Sequence, residues 1–213
     1  MRHPLYIFTL FLLASCGNSE TKPAVDTSAQ LPKVDTNFYA KVSAAVEVFA
    51  LPALVDADTM DSFHGVSLDE TSAYALLPGG FDYDSYNEVS CIAKTQIGKI
   101  PVLWFRLTND PDYEGMSDDR NIMMVTYDCD YAPIDVYNAA YSSLGYSYSL
   151  VRNDSIFTVD IDEMENINIT TSAVAILETG FMPEPSVTKT FSSKQQGSDD
   201  SRAYAEQFIN AHR

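Results

Sequence analysis

A mainly β fold, an antiparallel sheet (meander, sandwich or partly closed) with one or two short helices, is what this sequence predicts, and three observations carry it. The chain of 213 residues is 46% hydrophobic and 12% aromatic, which is enough apolar surface to offset the entropy of ordering. From Glu88 onward it runs as short Val/Ile/Tyr/Phe-rich segments broken by turn signals, the pattern of successive strands. Within them Ile156-Phe157-Thr158-Val159-Asp160-Ile161-Asp162 alternates. Phe157, Val159 and Ile161 belong to a buried face, and Thr158, Asp160 and Asp162 to a wet one.

The elements follow in order. Residues 1–15 hold one Arg, one His, no acid and a short apolar run from Leu5 to Leu13. A run this short does not cross a hydrocarbon core of about 30 Å, which takes roughly 20 helical residues, and it reads as a signal peptide. The small pair Ala14-Ser15 then leads into Cys16. Leu13-Ala14-Ser15-Cys16 resembles the lipobox of bacterial lipoproteins. The resemblance implies cleavage before Cys16, acylation of Cys16 (as palmitate labelling would report), and a partner in the membrane through that N-terminal lipid. Gly17 stands where an Asp marks inner-membrane retention in many such proteins, so the family pattern implies the outer membrane of the cell envelope. Residues 16–36 are the lipidated Cys and a flexible tether, polar, aperiodic and carrying Pro23 and Pro32, with a span of about 25 Å. Residues 37–213 form a single mainly-β domain, long enough to bury about 70% of its unfolded surface.

In that domain 38–50 fits helix or strand, and the chain must break before Pro52. Ser67-Leu68-Asp69-Glu70 has the spacing of a capping box and predicts a helix over 68–77, ended by Pro78-Gly79-Gly80. Strands are expected near 88–97, 100–108, 121–128, 134–141, 145–152, 155–161, 167–178 and 186–193. Gly98, Gly145 and Arg152-Asn153-Asp154-Ser155 supply turns. A last helix is predicted over 201–211, started by Asp199-Asp200-Ser201 and carrying Tyr204, Phe208 and Ile209. The succession from Phe49-Ala50-Leu51-Pro52 through Ile100-Pro101-Val102-Leu103-Trp104-Phe105 to Met124-Val125-Thr126-Tyr127-Asp128 resembles sheet-rich lipoproteins of Bacteroidota that have no established activity. Cys129-Asp130-Tyr131 stands where that group usually has a Gly.

Thirty acids against 13 basic residues give a net charge of −17. Removing residues 1–15 takes away Arg2 and no acid, so −17 becomes −18. Such a body does not suit nucleic acid or an anionic lipid face, both of which call for clustered Lys and Arg.

Few residues point to chemistry. Cys91 and Cys129 are an even pair in an oxidising compartment, and a disulfide closing their span would contribute about 3 to 4 kcal/mol. In a meander, however, their strands stand two steps of about 4.8 Å apart, beyond the bridging limit of about 7 Å. Two small buried side chains are the other reading. Asp110-Pro111-Asp112-Tyr113-Glu114-Gly115-Met116-Ser117-Asp118-Asp119-Arg120-Asn121 matches a calcium loop until Asn121 stands in place of the bidentate Glu, and its flanks read as strands. With thirty acids in the chain a solvated acidic hairpin loop is the better reading, and Asp56, Asp58 and Asp61 form a poorer set of the same kind.

A hydrolase would rest on His64 or on the carboxylate pair Asp160 and Asp162. Ser186-Val187-Thr188-Lys189 fits S-x-x-K without its companion motifs. Tyr137, Tyr141, Tyr146 and Tyr148 with Trp104 suit either an aromatic platform for a glycan or protein ligand, or cross-strand packing. Asp58-Thr59-Met60 and Asp154-Ser155-Ile156 resemble the O-glycosylation acceptor of Bacteroidota secreted proteins. No motif implies a cofactor. The expectation is an envelope lipoprotein with a binding or structural role, with a hydrolase or a calcium-stabilised domain as alternatives.

Overall fold

The β-branched and aromatic runs assemble into one large sheet in a computed structural model that describes residues 36–109, 119–143, 145–163 and 166–213. Its twelve strands are β1 (Glu47–Val48), β2 (Ala53–Val55), β3 (Val66–Ser67), β4 (Glu88–Ile97), β5 (Ile100–Asn109), β6 (Asp119–Tyr127), β7 (Pro133–Ser142), β8 (Gly145–Val151), β9 (Ser155–Asp162), β10 (Ile167–Leu177), β11 (Gly180–Pro183) and β12 (Val187–Phe191). The eight runs expected from Glu88 onward are all strands, while β1, β2, β3 and β11 are too short for periodicity to reveal. Strands β4 to β11 lie side by side in chain order as an antiparallel meander. β1 joins β4 in parallel, β3 pairs β4, β2 pairs β8 and β12 pairs β10. The sheet is thus open, mixed and mostly antiparallel.

Helices number more than the one or two expected. The ambiguous segment 38–50 divides into α1 (Thr36–Ala45) and β1, and α2 (Ala57–Met60) is a single turn capped by Asp56. α3 (Glu70–Leu76) starts later than the capping box implied. Asp69, not Ser67, is its N-cap and accepts from the Ser72 N–H at 2.8 Å, because Ser67 is drawn into β3. Those bonds from Ser72 hold the Asp69 carboxyl below its ordinary range. The last helix, α4 (Gln195–Ala211), begins six residues ahead of the expected Ser201. Gln195 reaches Asp199 and Gln196 reaches Asp200 across one turn, which supports that first stretch. No helix of the described residues is long and apolar enough to cross a membrane.

Alternation along the strands builds three cores. On β5 and β6, Val102, Trp104, Ile122 and Met124 face inward, while Leu103, Phe105, Leu107, Met123, Val125 and Tyr127 face outward under α1 and α3. A register shift between Cys91 and Ala93 inverts the parity of β4, so Cys91 joins the outer core while Ile92 and Ala93 join the inner one. On β8 to β10, Leu150, Val159, Ile161, Ile167 and Ile169 face outward and are covered by Ala205 and Ile209 of α4. Val151, Ile156, Val174 and Ile176 close the inner core from that side.

The sheet also curls. Asp135 of β7 accepts the Phe181 N–H of β11 at 2.9 Å, and Tyr137 packs on Phe181 with ring centres 5.5 Å apart. Gly180, at φ +119, permits this approach, since a Cβ there would lie 2.5 Å from an Asp135 carboxylate oxygen.

Candidate functional site

The cleft follows from a parting between neighbouring strands. β7 and β8 pair only at Tyr141 with Ser147 and at Ser142 with Tyr146; farther along, β2 takes the place of β7 beside β8, with Leu54 opposite Leu150. The inner face of β8 to β10 is apolar at the end that β2 flanks and polar at the hairpin end, where β7 bends over the floor from its pairing with β8 and leaves a cleft of about 650 Å³. Tyr137, Asn138 and Tyr141 of β7 form one wall, and Ser147, Thr158, Asp160, Asp162, Asn168 and Thr170 of the next three strands form the floor. Asp160 and Asp162 do share a face with Thr158, as the alternation implied. The expectation that this face is simply wet fails, because the curled sheet lays Tyr137 over Thr158, which is buried.

Two hydrogen-bond chains hold the parting open in one geometry. Ser149 donates to the Ala139 carbonyl at 2.5 Å, so Thr158 donates to Ser149 at 2.6 Å and Tyr137 donates to Thr158 at 2.6 Å. In the second chain the Tyr141 N–H donates to the Ser147 oxygen at 3.0 Å, and the Ser147 hydroxyl bonds Asp160. Burial pushes the Asp160 carboxyl up, and the Ser147 bond opposes that rise. Tyr141 is pushed up by burial and by the charges of Asp160 and Asp162. Its hydroxyl also lies beside Gly145, where a Cβ would stand 2.6 Å from the Ile161 carbonyl oxygen, so the bare backbone at that position lets the hairpin end close down on β9.

A second cleft, about 850 Å³, lies round the same hairpin end between α2 and the last turns of α4. Tyr141 and Ser147 line it too, joined by Tyr146, Tyr148, Glu163, Glu206 and Arg213. Tyr146 is exposed, and burial pushes the Tyr148 hydroxyl up to about 12, with Tyr146 and Glu206 adding to the rise.

The other sequence candidates fall elsewhere. Trp104 does not belong to a platform: it is fully buried, donates to Thr95 at 3.2 Å and packs edge-on against Phe49. Cys91 and Cys129 are both free, the first buried under α1 and α3 and the second exposed in the turn after β6. Burial pushes the Cys91 thiol up to about 12. His64 is exposed and lines neither cleft. Lys189 of the S-x-x-K run sits 4.7 Å above the Tyr204 ring.

Asp56, Asp58 and Asp61 are already engaged. Asp56 accepts from Thr59 N–H and hydroxyl at 2.6 and 2.7 Å, Arg120 pairs with Asp58 at 3.0 Å and with Asp61, and Arg106 also reaches Asp61 at 3.5 Å. Among the described residues no group of three or more His, Cys, Asp or Glu is placed to hold a metal ion. The Ser155 hydroxyl of the second glycosylation-like triplet donates to Asp154 at 2.8 Å. In the Thr126-Tyr127-Asp128 turn the left-handed position is filled by Tyr131, at φ +62 and stacked 4.3 Å from Tyr39, so the expected Gly is not needed. Cys16 and most of the calcium-like loop, 110–118, lie outside the described residues.

Sequence reasoning missed Asn138, Ser147, Asn168 and Thr170. The alternation of Ser147 and Ser149 with Tyr146 and Tyr148 was a usable signal, since small hydroxyls on a face opposite aromatic residues mark a polar inner surface. Fold and site together define a mainly β, open-sheet protein with a polar, tyrosine-walled cleft. Compared with known proteins, the chain matches no family model, no curated protein and no solved structure.

Proposed function

We propose that the chain is a lipid-anchored lipoprotein of the cell envelope, held in the outer membrane through Cys16, and that it works as a binding module for a glycan. The lipobox-like Leu13-Ala14-Ser15-Cys16 supports the anchor. One observation supports the glycan: the cleft under Tyr137 and Tyr141 offers aromatic faces, two asparagine amides, two carboxylates and small hydroxyls within about 650 Å³. Planar bidentate side chains suit neighbouring hydroxyls and rings suit the apolar face of a pyranose. The purified mature chain is expected to give signal on a glycan array that Asn138→Ala with Asn168→Ala abolishes; a blank array, or signal only on a peptide array, overturns the glycan reading. Palmitate incorporation and globomycin-sensitive processing are expected to vanish in Cys16→Ser, and a mature N-terminus elsewhere overturns the anchor.

Hydrolysis is the second reading, favoured by Asp160, whose burial keeps its proton to higher pH beside Asp162 on the same strand face. Saturable release of reducing ends, lost in Asp160→Asn, is what that reading requires.

A further inference from the structure

We propose that the larger cleft, between α2 and the last turns of α4, is a separate site that binds a linear aliphatic polyamine. It stands independently of the glycan reading, because the two clefts open on opposite faces of the sheet. Ser147, Thr158 and Asp160 belong to the inner face, whereas Tyr146 opposite Ile161 and Tyr148 opposite Val159 belong to the outer face that α4 covers. The outer cleft forms where β7 leaves β8 after Ser147 and β2 joins it at Ser149, with α2 following β2 as a wall.

Its lining joins carboxylates to open aromatic faces, the two kinds of group that suit an organic cation. Among the described residues neither Glu163 nor Glu206 forms a hydrogen bond or an ion pair. Burial, then Glu163, pushes the Tyr146 hydroxyl up, and burial, Tyr146 and Glu206 do the same at Tyr148, so each carboxylate lies near one ring. Asp56 and Asp58 on the α2 wall are engaged by Thr59 and Arg120, so the available charge rests on the two glutamates. Arg213 in the lining and Arg202 near Tyr146 are the cations at hand, and neither is in ion-pair contact with Glu163 or Glu206. The cleft also meets the C-terminal end of α4 at Ile209 and Asn210, where carbonyls without helical partners favour a positive charge.

Among the described residues neither Tyr146 nor Tyr148 stacks on another ring or lies under a Lys or Arg. Tyr204 of α4 differs, since Lys189 covers its ring at 4.7 Å. A ligand ammonium can take at Tyr146 and Tyr148 the place that Lys189 takes at Tyr204. Two carboxylates, one beside each ring, in about 850 Å³ call for a chain with more than one ammonium, whose methylenes lie along the rings. A net charge of −17 draws cations to the molecule and repels anions. β8 is paired on both sides, by β9 and by β7 with β2, so it offers no edge on which an extended peptide could add as a strand.

Calorimetric titration of the mature chain with putrescine, spermidine, choline, hexanediol and oligolysine, in excess magnesium to screen diffuse attraction, tests this. Spermidine is expected to bind about tenfold or more tighter than choline, and hexanediol is expected not to bind. Tyr146→Ala, at a residue that is 44% exposed, and Glu206→Gln are each expected to weaken spermidine about fivefold. Glu178→Gln, exposed in the turn between β10 and β11, is expected to leave it unchanged. An equal loss in Glu178→Gln, or none in Tyr146→Ala, shows diffuse charge attraction and overturns the site. Choline bound as tightly as spermidine overturns the polyamine assignment, and binding of oligolysine alone, or of no member of the panel, overturns the proposal as a whole.

Discussion

The triplets β4–β6 and β8–β10 are built from the same alternating β-branched and aromatic residues, yet they end in different environments. In β4–β6 both faces are apolar and covered, the inner by the opposite half of the curled sheet and the outer by α1 and α3. In β8–β10 the outer face is sealed by α4, and the inner face turns polar toward the hairpin end, where β7 pairs through Tyr141 with Ser147 and then bends over the floor. The difference teaches that the cleft is made by curvature and parting as much as by composition: a polar strand face becomes a site once a neighbouring strand is bent over it.

The largest effect expected from breaking this contrast is at Trp104. Trp104→Ala removes the centre of the doubly covered half and the indole N–H that Thr95 accepts, and a loss of about 3 to 5 kcal/mol in urea unfolding is expected. A loss below about 1 kcal/mol would mean that this half is not the more tightly packed one.

Gly145→Ala acts on the hairpin end. Its methyl would meet the Ile161 carbonyl oxygen at 2.6 Å, a backbone atom that cannot swing aside, so about 1 to 3 kcal/mol and displaced Tyr141 and Ser147 amide resonances are expected. Unchanged spectra would show that β8 and β9 do not close down as described.

The smallest effect is at Asp160. Its folded pKa is raised, so the stability contributed by its protonated form is fully present below the ordinary aspartate range and is lost as pH rises through the folded value. The wild type is therefore expected to lose more melting temperature than Asp160→Asn between acid and neutral pH, and parallel curves for the two proteins would contradict the burial of this carboxyl.

Much of the sheet was legible because strands such as β5 and β9 are long and carry a regular two-residue period. The capping box at Ser67 misled for a tertiary reason, since pairing of β3 with β4 claims that residue and passes the cap to Asp69. Asp160 and Asp162 could be assigned to one face from sequence, but the roof over them depends on Tyr137, twenty-three residues upstream of Asp160, and on Asp135 holding β11 beside β7.

By itself the sequence determined the succession of strands β4 to β10 along the chain, the division of β9 into two faces and the acidic balance, because each depends on local period or on composition alone. Only the tertiary structure decided that Trp104 is core, that Cys91 and Cys129 stay apart, and that Tyr137 and Asn138 face Asp160 and Asn168. Those outcomes depend on strand register, on the bulge in β4 and on the insertion of β2 beside β8, which bring together residues that no short spacing connects.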